Sequence, residues 1–145
     1  MQIRQAELDD SERISLLMRQ LGYEAFPTLI KHKLLALSGR ATDLVLVADD
    51  NGMIKGIVSL HEQEMFHQDG RLGRITSLVI DEMPRGEGVG SLLVLEADNF
   101  FRRSGCVKAE VTSGGHRPQA HLFYQKPGYA QDERRFLKRY QVANA

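Results

Sequence analysis

Residues Ser77 to Gly105 read SLVIDEMPRGEGVGSLLVLEADNFFRRSG: an apolar run, then three glycines within five residues, then an amphipathic segment. In the last part Val89, Leu93, Ala97 and Phe100 form one helical stripe. Arg102 and Arg103 fall in its final turn and Gly105 follows as the C-terminal cap. Gly86, Gly88 and Gly90 stand just ahead of the helix, where backbone N–H groups left uncovered at the positive end of the macrodipole make an anion site without lysines. A phosphate suits such a loop; a tight strand-to-helix turn without a ligand is the alternative.

Working outward, Ile3 opens a short first strand, and DDSERISLLMRQLG predicts a helix. Its N-cap is Asp9, with Glu12 three residues on as in a capping box, Ile14, Leu17, Met18 and Leu21 at helical spacing, and Gly22 as the stop. A second helix is expected from Pro27 to Ser38, with Ile30, Leu34 and Leu37 on one face and Gly39 ending it. The period then changes to that of strands. DLVLVADDNGMIKGIVSLHE predicts two strands joined at Asn51-Gly52, a pair that supplies positive φ at little cost. RLGRITSLVID makes a third strand after the turn at Asp69-Gly70, and CVKAEVTS another beyond the glycine-led helix. Pro118 suits the first turn of a short helix through Phe123 and Tyr124, closed by Pro127-Gly128. Phe136, Leu137 and Tyr140 suggest a final strand, and one more short strand fits around Tyr129. The expected architecture is one α/β (α+β) domain over residues 1–145, ordered β-α-α-β-β-β-α-β-α-β, with flanking helices on a mixed central sheet that is mostly antiparallel.

At 145 residues the chain has the length of one domain, which buries roughly 70% of its unfolded surface, so no covalent staple is needed. Cys106 is the only cysteine, which excludes an internal disulfide framework and fits a reducing compartment. The N-terminal MQIRQAELDD has no apolar signal-peptide core, and no apolar run approaches the ~20 residues that span a bilayer. The expectation is therefore a cytoplasmic protein. Lysine plus arginine equals aspartate plus glutamate at 19 each, so no global field recruits nucleic acid or an anionic membrane, and neither is expected as a partner.

Two phosphate motifs can be tested against the glycine spacing. A Walker loop requires a lysine after its last glycine, but Gly90 is followed by Ser91, which argues against an NTPase. The dinucleotide fingerprint fits at Gly86 and Gly88, and Glu110 lies near the distance expected of a ribose-binding acid. Its third glycine position is nevertheless Ser91. Four residues, Glu82 to Arg85, also separate strand from glycine where that fingerprint turns at once.

LVIDEMPRGEGVGSLL, by contrast, closely resembles the acyl-CoA-binding motif of the GNAT superfamily of N-acetyltransferases, an apolar strand followed after a few residues by Arg or Gln-x-x-Gly-x-Gly or Ala. The matching residues are Arg85, Gly86, Glu87, Gly88, Val89 and Gly90. The resemblance covers nearly the whole chain, because the element order is the family's and AHLFYQKPGY is similar to its later Ala-x-x-(Phe)-Tyr-x-x-x-Gly-(Phe/Tyr) segment. It implies that backbone amides from Arg85 to Gly90, with Ser91 beside them, bind the CoA diphosphate. It also implies that the strand at Leu78, Val79 and Ile80 pairs through its backbone with the pantetheine arm, and that the main chain around Val79 polarises the thioester carbonyl. The strand around Val107 to Thr112 would be the splayed neighbour. Arg117, near a position that is asparagine in many members, is carried over as a further cofactor contact. A helix N-terminus suits a diphosphate, and an unpaired strand edge suits an arm with two amides.

Acetyl transfer from a thioester to an amine poses two proton problems. An alkyl amine with a pKa of about 10 is neutral in only about one molecule in a thousand at pH 7, so a base is needed. The thiolate of CoA leaves more readily when protonated. Tyr124 matches the family's general acid near the thioester sulfur, and a phenol is protonated at neutral pH. The base is less defined, because ITSLVI (residues 75–80) lacks the glutamate that some members carry there. Glu62 and Glu64 alternate with His61 and so point to the opposite face; either acid could accept a proton through water, and solvated strand polars are the plainer reading. His116 and His121 flank the second motif and read as loop or helix-surface histidines rather than the base, with His116 close enough in sequence to the cofactor segment to stay a candidate.

His61, Glu64, His67 and Asp69 can be drawn as a metal site, but no helical histidine pair or cysteine pair supports one, and a polar hairpin end explains them; no metal is expected. Arg134, Arg135, Lys138 and Arg139 read as a solvated face and Cys106 as a buried strand residue. The resemblance implies that the acceptor is set by GYEAFP between the first two helices and by the hairpin around HEQEMFHQDG. Tyr23, Phe26 and Phe66 offer apolar walls there, and Glu24, Glu62 or Glu64 could attract a cation, which favours a small amine or polyamine-like acceptor, with aminoglycosides and protein amino groups open. Edge strands are compatible with a homodimer. The expectation is an acetyl-CoA-dependent N-acetyltransferase acting by direct amine attack. The competing class is an acyl-CoA sensor or interaction module of the same fold without turnover.

Overall fold

The computed structural model describes residues 1–81, 88–111, 127–130 and 135–141. Among them the elements are β1 (Gln2–Gln5), a 3-10 turn (Leu8–Asp10), α1 (Ser11–Gln20), α2 (Pro27–Leu37), β2 (Asp43–Asp50), β3 (Met53–Glu64), β4 (Arg71–Ile80), α3 (Val89–Arg103) and β5 (Cys106–Val111). The strands form one sheet in sequential order. β1 to β4 pair antiparallel, and β5 joins β4 in parallel after the crossover through α3. This is the mixed, mostly antiparallel sheet expected from the sequence.

Alternation splits the strand side chains between two cores. On one face Val45, Val47, Ile57 and Val79 meet Ile14 and Leu17 of α1 and Ile30 of α2. On the other, Leu46, Ala48, Val58, Leu60 and Ile75 meet Val89, Leu93, Ala97 and Phe101 of α3. The predicted helical stripes are thus the buried ones, with Phe101 rather than Phe100 fully inside. Asn51 and Gly52 both have positive φ, 52° and 93°, and the Gly52 N–H donates to Asp49 Oδ1 at 2.7 Å. The two-residue turn therefore forms where the dipeptide predicted it.

Two local expectations change. The chain enters α1 one turn earlier than Asp9 and Glu12 suggest: the 3-10 turn precedes the helix, and Asp10 rather than Glu12 reaches back, its Oδ2 accepting from the Glu7 N–H at 2.7 Å. Arg4 drives this choice, because its guanidinium binds both Asp10 oxygens at 2.9 Å and holds that carboxylate at the helix start. The final strand expected at Phe136, Leu137 and Tyr140 is not formed: residues 135–141 have no regular structure, and those three side chains are exposed. A strand needs a ladder partner, and none among the described residues pairs with this segment. The short helix expected from Pro118 lies outside the described residues. Tyr129 packs against the α3-side core.

Candidate active site

β4 has different neighbours along its two flanks. Against β3 it is paired from Arg71↔Glu64 to Ile80↔Gly56, whereas against β5 the pairing among the described residues runs from Arg71↔Cys106 to Ile75↔Val111. Leu78, Val79 and Ile80 thus have β3 on one side and, among the described residues, no strand on the other. A main-chain edge is available to an extended ligand on the stretch where the sequence assigned the pantetheine arm.

The free edge begins at a β-bulge. Ser59 pairs with Ser77 and Leu60 with Ile75, so Thr76 is the extra residue. The bulge turns Ser77 and Val79 to the α1–α2 face and sends Leu78 and Ile80 to the α3 face. It also directs the Thr76 hydroxyl at two β3 side chains, Ser59 (Oγ to Oγ1, 2.7 Å) and His61 (Nε2 to Oγ1, 2.7 Å). The other nitrogen of His61, Nδ1, lies 2.6 Å from Oδ1 of Asp43 on β2. A carboxylate only accepts, so Nδ1 carries the proton given to Asp43, and Nε2 is the basic atom that accepts from the Thr76 hydroxyl. Asp43 also accepts from Thr42 Oγ1 at 3.1 Å, and Arg40 Nη1 stands 3.8 Å from it. Arg74, opposite His61 on β4, is engaged by Glu110 of β5 at 2.8 Å.

The chain Asp43–His61–Thr76–Ser59 is what the sequence reading missed. Strand alternation puts Ser59 and His61 on one face, but two features hid their partners. The two-residue turn taken alone would set Thr42, not Asp43, against His61. A second irregularity, between Ala48 and Asp49 with Lys55 as the extra residue, shifts the register so that Asp43↔His61. The bulge in β4, which leaves Thr76 unpaired between Ser59 and His61, is likewise unannounced by the sequence.

Glu62 and Glu64, considered above as proton acceptors, lie on the α3 face and are committed to Arg71, at 3.0 and 2.7 Å. Glu62 is buried rather than solvated, and its Oε2 is 4.0 Å from the Cys106 thiol. Burial first, and the neighbouring Glu62 charge second, push that thiol above its ordinary value and leave it a poor nucleophile. Cys106 is half-buried rather than buried. His61 and Glu64, drawn together as metal ligands in the sequence, point to opposite faces, each with another partner.

At the far end of the free edge stands α3. Gly88 caps it with φ 73°, a left-handed conformation that costs a side chain about 1–2 kcal/mol and a glycine little. Gly90 and Ser91 lie within the first turn, which contains no acidic side chain to compete for its N–H groups. Gly56 fixes how closely this turn approaches: a Cβ there would stand 2.9 Å from Val89 Cγ1 and 3.0 Å from Leu93 Cδ1. Arg13 ties the end of β4 to α1, donating from Nε to the Ile54 carbonyl at 2.9 Å and from Nη2 to Asp81 at 2.6 Å. Arg85, Gly86, Glu87, His116, Arg117, His121 and Tyr124 lie outside the described residues.

The loop between α1 and α2 borders the face that carries His61. Ser15 holds it from inside, donating to the Ala25 carbonyl at 2.6 Å. Tyr23 and Phe26 are exposed there, and the Arg19 guanidinium lies 5.1 Å from the Phe26 ring centre.

Residues 9–129 match the model of the acetyltransferase (GNAT) family. The aminoalkylphosphonate N-acetyltransferase of Salmonella typhimurium is 31% identical over 142 residues, which is 94% of this chain and 90% of that protein. The glucosamine 6-phosphate N-acetyltransferase of Trypanosoma brucei brucei is 34% identical over 57% of this chain and 55% of its own length. Among solved structures, the glucosamine-6-phosphate N-acetyltransferase of Arabidopsis thaliana superposes with a TM-score of 0.83 at 20% identity, over 97% of this chain and 98% of that one, a likeness of fold. Together with the strand edge that ends at a glycine-capped helix, these matches lead to one conclusion: the chain belongs to the acetyltransferase (GNAT) family and is an acyltransferase.

Proposed function

We propose that the protein transfers an acetyl group from acetyl-CoA to the primary amine of a small molecule by direct attack on the thioester. The observation that carries this reading is the edge of β4 that, among the described residues, has a strand on one side alone and runs from the Thr76 bulge past Leu78, Val79 and Ile80, with the N-terminus of α3 the next described element. Main-chain groups along that edge bind the pantetheine amides, and the N–H groups of Val89, Gly90 and Ser91, with Arg85, Gly86, Glu87 and Gly88 ahead of them, bind the diphosphate. Arg117 is a further cofactor contact. The amine nitrogen forms its bond to the carbonyl carbon, the C–S bond breaks, and Tyr124 gives its proton to the departing sulfur. Acetyl-CoA acts as cosubstrate with no metal, and the lone Cys106 fits a reducing, cytoplasmic setting.

For the acceptor, Glu62 and Glu64 are withdrawn to the α3 face by Arg71, which removes two of the three acids that favoured a polyamine. Two relatives are named for amines that also bear a phosphonate or phosphate, and Arg19 in the last turn of α1 supplies a cation over Phe26 of the α1–α2 loop. The acceptor in this proposal is accordingly a compact amine carrying an anionic group.

The test is calorimetric titration of CoA, followed by an acetyl-CoA consumption screen over aminophosphonates, amino-sugar phosphates, polyamines and aminoglycosides. CoA binding with turnover of an anionic amine is the expected result. Failure of CoA to bind at millimolar concentration would overturn the reading, and CoA binding without turnover of any amine would leave a sensor in its place.

A further inference from the structure

We infer that His61, oriented by Asp43 and reached through the Thr76 hydroxyl, takes up the proton that the acceptor amine must lose. The inference rests on the proposed acetyl transfer and adds to it the base that the sequence did not supply. Diphosphate at the start of α3 and pantetheine along Ile80 to Leu78 direct the acetyl end of the cofactor past the main chain around Val79 towards Ser77 and Thr76; among the described residues the pairing of β4 with β5 ends at Ile75. At that point Thr76 Oγ1 lies 2.7 Å from His61 Nε2, and His61 Nδ1 lies 2.6 Å from Asp43. The pair is sheltered: the Asp43 side chain is 11% exposed and that of His61 27%. Thr76 itself is exposed to the site.

The proton path closes. The ammonium gives a proton to the Thr76 oxygen while the Thr76 hydroxyl proton passes to Nε2, which leaves an imidazolium whose second N–H is held by the Asp43 carboxylate. The freed amine lone pair then forms the C–N bond, and the electron pair of the C–S bond leaves with sulfur, which is protonated by Tyr124. The second amine proton lost on going to the amide restores Tyr124 through solvent, and His61 releases the first. The Ser59 hydroxyl, 2.7 Å from Thr76 Oγ1, fixes the orientation of that relay. The charges around the imidazole are Asp43 on β2, with Arg40 beside it, and Arg74 on β4, which is neutralised by Glu110.

The experiment compares two acceptors in wild type, His61→Gln, Thr76→Val and Thr76→Ser. One acceptor is an alkyl amine that is ammonium at neutral pH; the other is an amine already neutral there, such as a hydroxylamine derivative. For the alkyl amine, His61→Gln and Thr76→Val are expected to lower kcat/KM by about 10², leaving a rate that follows the ionisation of the amine itself. Thr76→Ser retains most of the rate. For the neutral amine both damaged variants stay within a few-fold of wild type, and calorimetric CoA affinity is unchanged in all. Equal losses on the two amines would overturn the inference. So would a Thr76→Val variant dead towards the neutral amine, because that marks the hydroxyl as a nucleophile. Turnover by wild type is tested separately, so failure of the acetyl-transfer reading is distinguishable from failure of the base.

Discussion

Arg4 shows how one side chain ties together segments that the sequence keeps apart. It binds Asp10 at the start of the first helix and Asp49 at the end of β2, both at 2.9 Å. Burial alone would raise the Asp10 carboxyl, but the bonds from Arg4 and from the Glu7 N–H outweigh it and hold the group below its ordinary value. Asp49 is likewise lowered, first by Arg4 and then by the Gly52 N–H. A carboxyl that is more acidic folded than unfolded adds stability above its unfolded pKa of about 3.9, and that stability is lost as the pH falls through the lowered folded value. Arg4→Met is therefore expected to lower the urea midpoint at neutral pH and to narrow its gap from wild type as the pH is taken below about 4. A gap that is constant over this range would show that the lost contacts were packing rather than charge.

At the scale of elements, two glycines set how α3 lies on the sheet, and they predict different losses. A Cβ on Gly73 would stand 2.5 to 2.7 Å from three atoms of the Phe101 ring, a rigid group in the core. Gly73→Ala should cost about 1–3 kcal/mol by overpacking, measured by urea unfolding. Gly56 sits instead beneath the first turn, where Val89 and Leu93 can give way by a few tenths of an ångström. Gly56→Ala should therefore shift the helix start and weaken CoA binding several-fold, with a smaller loss of stability than Gly73→Ala; calorimetric titration of the variant checks the first expectation and urea unfolding the second. The hairpin was legible because Asn51-Gly52 carries its own geometry. The two bulges were not legible, because no residue type announces them: Lys55 and Thr76 are ordinary strand residues, displaced only when four strands settle their registers together.

For the whole molecule, the proposed cofactor spans β4 and the start of α3. Saturation at about a hundred times the dissociation constant should stabilise the fold by about 2.7 kcal/mol, seen as a rise in Tm with CoA. Tyr124→Phe should keep this rise and lose roughly 10²-fold in kcat; an undiminished kcat would remove Tyr124 from the acid role. The sequence by itself determined the order of elements as far as β5, the hairpin, the two helical stripes and the glycine-led helix N-terminus. Each of these depends on local φ preferences and on apolar spacing along one segment. The tertiary structure decided which polar groups meet. Glu62 and Glu64 went to Arg71 on the α3 face, and Asp43, His61, Thr76 and Ser59 came together on the other. A one-residue shift in strand register reverses which face a side chain occupies, and such shifts are fixed by packing across the sheet rather than by any neighbour in sequence.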